Sequence, residues 1–138
     1  MKISARVRNS QDDHQVTLQT GGHAHSIQIA PKSTGYGSSV SGGELLLLAL
    51  ATCYCNDLYR EAAKRGLAVE QVEVDVDGDS GADGDPLTNV MYRVKVVAQA
   101  GEDEIRELIF HTDYVAEIHN TLRSATPVIL SGHDAVTI

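Results

Sequence analysis

The chain has 138 residues, with 11 Lys and Arg against 19 Asp and Glu, a formal net charge of −8 at pH 7. That balance argues against nucleic acid and against an anionic membrane surface, which both need clustered positive charge. Apolar residues at 42% and charged residues at 22% exclude a disordered chain, and the length fits one domain over residues 1–138.

From the N-terminus, Met1-Lys2-Ile3-Ser4-Ala5-Arg6-Val7-Arg8 carries charge every few residues and lacks the apolar centre of a secretory leader. The expected location is therefore the cytoplasm. Ile3 to Arg8, Gln15 to Gln19 and Ser26 to Ile29 alternate or are rich in β-formers, and polar or glycine breaks separate them. They predict a meander of three strands. Pro31 to Val40 is a Gly/Ser loop. Its Gly35-Tyr36-Gly37 has Val40 where a dinucleotide fingerprint needs a third glycine, and no Gly-Lys-Ser/Thr follows.

Ser41 and Glu44 form a capping box ahead of a helix from Leu45 to Lys64, which Gly66 stops. Its first half is apolar all round and its second half is charged, so the first half is expected inside and the second in solvent. The apolar run Leu45 to Cys55 is far short of the roughly 18 to 20 residues of a membrane span. Val72, Val74 and Val76 alternate with acids, and Val90, Tyr92, Val94 and Val96 with Met91, Arg93 and Lys95. These predict an antiparallel hairpin with opposed charges on its wet face. Ile105 to Leu122 has helical spacing for one broken or two short helices, and Ala135 to Ile138 predicts a closing strand. The order β-β-β-α-β-β-α-β is an α+β layout.

The six histidines, His23-Ala24-His25 included, have no cysteine or carboxylate cluster at metal spacing, and Asp75 to Pro86 lacks the glycine and the final glutamate of a calcium loop. No metal or cofactor is expected. The two cysteines, Cys53 and Cys55, would point about 200° apart on a helix and cannot bridge each other. Reduced thiols follow. Cys53 shares its stripe with Asp57 at i+4, which opposes a thiolate, and Arg60 at i+7, which favours one. Cys55, on the other side, is expected to pack.

The stretch Ser41-Gly42-Gly43-Glu44-Leu45-Leu46-Leu47-Leu48-Ala49-Leu50-Ala51-Thr52-Cys53-Tyr54-Cys55 resembles the central helix of the OsmC/Ohr family, with its glycine-rich approach, Glu-Leu-Leu start and small residues before cysteine. The strand and helix order extends that resemblance over nearly the whole chain. It implies an α+β fold, an intertwined homodimer with the reactive site at its interface, and thiol-dependent reduction of organic hydroperoxides. In the family one cysteine attacks the peroxide and becomes a sulfenic acid, and a second, on a later helix, resolves it as a disulfide. An Arg–Glu pair holds the first sulfur as thiolate.

Cys53 matches the attacking position, but the other parts depart from the pattern. Ala116 stands where the resolving sulfur belongs, and Gly43 where the glutamate belongs. Glu44, the nearest carboxylate to that position, falls about 180° from Cys53 on a regular helix. Only Lys32, which lacks the planar fork of arginine, is available where the family arginine arises. The resemblance then implies one working thiol, Cys53, with an external thiol as reductant, and Glu44 as its catalytic carboxylate only where the helix start is irregular. An alternative is a homodimer without peroxidase activity that binds a small apolar ligand in the interface cleft, with Glu44, His111 and His119 as its polar groups.

Overall fold

Residues 1–138 are described by a computed structural model and fall into two compact units, Met1–Leu46 and Leu47–Ile138. In the first, alternation and tight turns produce a three-stranded antiparallel sheet. Strands β1 (Ile3–Ser10), β2 (Asp13–Thr20) and β3 (His23–Ile27) run in that order. Ser10 pairs with Asp13, and Thr20 with His23, so each connection has two residues. Asp12 and Gly21 take left-handed backbone (φ 59° and 58°), which Asp and Gly tolerate better than other residues. The third strand begins earlier than Ser26 because the Gly21-Gly22 turn starts the return at once.

The Gly/Ser loop closes on itself. Lys32 N–H donates to the Gly37 carbonyl at 3.0 Å, and Asn9 holds Gly37 by both its N–H and its carbonyl. Gly35 and Gly37 have φ of 96° and 87°, so these glycines serve the turn.

Helix α1 (Gly42–Lys64) starts on the expected capping box. Ser41 N–H donates to Glu44 Oε1 at 3.0 Å, and Glu44 N–H to Ser41 Oγ at 3.1 Å. It ends in a Schellman motif, with Leu67 N–H on the Ala62 carbonyl, Gly66 N–H on the Ala63 carbonyl, and Gly66 at φ 67°.

In the second unit, β4 (Val69–Asp79) and β5 (Thr88–Ala98) form an antiparallel hairpin. Its register sets Glu73 opposite Lys95 and Asp75 opposite Arg93, as the alternation predicted, while Asp77 faces Met91. The inner valines of both strands and Tyr92 pack against Tyr54, Leu58, Ala62, Leu108 and Ala116, the buried core. Leu58 and Leu108 are fully buried, each worth about 1.5–3 kcal/mol of transfer free energy. Helices α2 (Glu102–Val115) and α3 (Glu117–Arg123) are separated at Ala116, whose extended backbone (φ −68°, ψ 112°) breaks the helical ladder.

Two expectations are corrected. The buried part of α1 runs from Leu50 to Ala62, in the later half, while Leu45, Leu46 and Leu47 are half-buried and Leu48 is exposed. Composition pointed the other way, but Tyr54, Leu58 and Ala62 form the stripe that meets the hairpin. Ala135 to Ile138 forms no strand, because no strand of the chain pairs with it. Val128, Ile129, Leu130, Val136 and Ile138 are all exposed.

Candidate functional site

Cys53 lies half-buried on α1, one residue before the core tyrosine Tyr54. The helical repeat sets Asp57 one turn on, and the thiol donates to Asp57 Oδ2 at 3.4 Å. Asp57 is buried, and its second oxygen, Oδ1, accepts from Arg60 Nη1 at 2.8 Å. The same nitrogen reaches Glu117 Oε1 on α3 at 3.4 Å. Arg60 thus touches the sulfur's carboxylate partner, and its help to the thiol is indirect.

The break at Ala116 turns the start of α3 toward α1. The backbone N–H groups of Ile118 and Glu117 then face the sulfur and favour its charged form. Burial is the larger influence and pushes the Cys53 thiol up from its ordinary value; the Asp57 carboxylate pushes the same way. The resting group at neutral pH is therefore a thiol. Ala116, fully buried, is the residue just before these N–H groups.

Donor atoms of Cys53, Asp57 and Glu117 lie within 4.8 Å of one another, and the Arg60 guanidinium bridges the two carboxylates. Sequence spacing exposed Asp57 and Arg60. It missed Glu117 and the two N–H groups, which arrive from a sequence-distant helix; the only available signal was the helical gap after Val115.

The other candidates have different engagements. Glu44, nine residues before Cys53, has its carboxylate in the cap, and the Ser41 N–H holds its pKa below the ordinary value. Lys32 belongs to the self-closed loop. His111 Nε2 pairs with Glu61 Oε1 at 2.8 Å. His119 is buried against Tyr92 and Tyr54, ring centroids 4.8 and 6.1 Å away, and burial lowers its pKa. Cys55 lies on another side, in a groove of about 260 Å³ lined by Ala51, Thr52, Asn56, Val72 and Val74.

Behind the site, Glu61 is buried and receives Lys64 at 2.8 Å, Arg60 at 3.0 Å and His111. Lys64, then Arg60 and His111, hold its pKa down to about 2, from 4.5. A depressed acid stabilises the fold above its unfolded pKa and loses that contribution as pH falls. Acid titration of unfolding should show the Glu61 contribution intact above pH 4.5 and lost toward pH 2. Glu61→Gln should flatten that segment, and an unchanged profile in the variant would contradict the assignment.

Among curated proteins, none matches the sequence. Solved structures do match the fold. An OsmC-like protein from Mycoplasma pneumoniae aligns with a TM-score of 0.66 at 21% identity, over 91% of this chain and 90% of that one. An OsmC-like protein of unknown function from Vibrio cholerae gives 0.63 at 17%, over 88% and 93%. An organic hydroperoxide resistance protein OsmC from Legionella pneumophila gives 0.57 at 14%, over 89% and 90%. A family profile described as OsmC-like protein matches residues 35–131, the loop, α1, the hairpin and both later helices, and the chain therefore belongs to the OsmC/Ohr family.

Proposed function

We propose that residues 1–138 act as one OsmC-like domain, cytoplasmic and homodimeric, that reduces organic hydroperoxides through the single thiol of Cys53. The observation that carries this reading is the setting of that thiol: half-buried, bonded to an arginine-held carboxylate and facing two backbone N–H groups. The hydroperoxide resistance protein among its structural neighbours supports the substrate class. With Ala116 beside these N–H groups and Cys55 on another side of α1, the sulfenic acid is released by an external thiol. One thiol displaces water to give a mixed disulfide, and a second frees Cys53. The exposed apolar residues Leu48, Val128, Ile129 and Leu130 support a second copy as the partner. No helix is long and apolar enough to cross a membrane.

Glu44 enters this reading only with its cap released. Glu44→Gln keeps the reciprocal capping bonds and removes the charge. A fall of more than tenfold in hydroperoxide turnover in that variant assigns Glu44 to the chemistry, and unchanged turnover leaves it as the cap. The groove beside Cys55 favours a second reading, a dimer that binds a small apolar ligand. Hydroperoxide consumption by the purified protein with monothiol or dithiol reductant, alongside light scattering, separates the two. The first reading expects turnover by a dimer, and a dimer without turnover supports the second.

A further inference from the structure

The attacking thiol must lose a proton, and the resting site does not remove it in advance. Asp57 is the carboxylate in hydrogen-bond contact with the sulfur. Its side chain is only 7% exposed, and Arg60 holds its far oxygen, so Oδ2 is fixed toward the thiol. Arg60, 40% exposed, also bonds Glu61 on its own helix and Glu117 on α3. Around Asp57 and Cys53 the charged groups are thus Arg60 and Glu61 from α1 and Glu117 from α3. His111 of α2 is turned to Glu61, and His119 of α3 lies within electrostatic reach of Asp57.

We propose that Asp57 is a catalytic residue, the proton carrier for Cys53, and that Arg60 is its positioning residue. This rests on the reading of Cys53 as the thiol that attacks a hydroperoxide. A sulfur lone pair attacks the terminal oxygen of R–O–OH, the S–O bond forms as the O–O bond breaks, and the O–O electron pair leaves on R–O⁻. The thiol proton passes to Asp57 and from it to the alkoxide. Cys53–SH and ROOH become Cys53–SOH and ROH, sulfur losing two electrons and the peroxide gaining them. The same carboxylate that opposes a resting thiolate becomes useful once an acceptor for the sulfur electrons is bound.

The assignment makes two reactions of one sulfur move in opposite directions. In a Cys55→Ser background, Asp57→Asn is expected to cut hydroperoxide turnover about a hundredfold, the scale of lost acid–base catalysis. Alkylation of Cys53 by iodoacetamide at neutral pH should become faster, because the removed charge lets the thiol ionise more readily. Arg60→Gln should lower turnover about tenfold, with partial recovery in Arg60→Lys, since lysine keeps the charge and loses the fork. Arg60 keeps Glu61 and Glu117 in the Asp57 variant, so folding should persist, as circular dichroism would check. Turnover within twofold of the parent, or turnover and alkylation falling together, overturns the proton-carrier role. Absence of turnover in the parent overturns the hydroperoxide reading and this proposal with it.

Discussion

Cys53→Ser is expected to reduce thiol-dependent hydroperoxide consumption to the protein-free background, while Cys55→Ser retains it. The asymmetry follows from position on α1. Cys53 is bonded to Asp57 and faces the N–H groups of α3, whereas Cys55 lies in the groove with Val72 and Val74. A serine hydroxyl cannot replace the sulfur, since it neither ionises nor accepts oxygen as sulfur does. Steady-state consumption measured with parent and both variants gives the test. Equal losses in the two variants, or in neither, would remove Cys53 from the site.

The second large effect is a gain. Ala116→Cys should convert the one-thiol cycle into a two-thiol cycle, with an intramolecular disulfide between Cys53 and the introduced thiol after one equivalent of hydroperoxide. The parent chain should form none. Ala116 is fully buried at the helical break, and the N–H of the next residue already faces the Cys53 sulfur. The added sulfur occupies a filled position, so the reduced variant should be destabilised by about 1–3 kcal/mol. Peptide mapping without reductant detects the bridge; an accumulating sulfenic acid with no bridge would contradict the placement.

Features with local causes were legible in the sequence. The Ser41–Glu44 box and the Gly66 stop need only a few neighbouring residues, and each formed as expected. The hairpin followed from strict alternation, and its opposed charges emerged with the register. The contact between Cys53 and Asp57 followed from i, i+4 spacing, as did the sign of the effect on the thiol.

Features decided by tertiary partners were not legible. The more apolar half of α1 is the less buried, because packing against the hairpin depends on the stripe Tyr54-Leu58-Ala62 and not on mean composition. Ala135 to Ile138 has strand character but no strand within the chain to pair with. Glu117 was hidden for a similar reason. Its carboxylate reaches Arg60 only because the chain breaks at Ala116 and starts a new helix there.

The most direct measurement is the location of the oxygen after a single turnover without reductant. Reduced protein would be treated with one equivalent of an organic hydroperoxide, trapped with dimedone and mapped by mass spectrometry. A single adduct on Cys53, absent from Cys53→Ser and matched by one equivalent of the alcohol, is the predicted result. Unconsumed hydroperoxide with Cys53 unmodified, or an adduct confined to Cys55, would contradict the account.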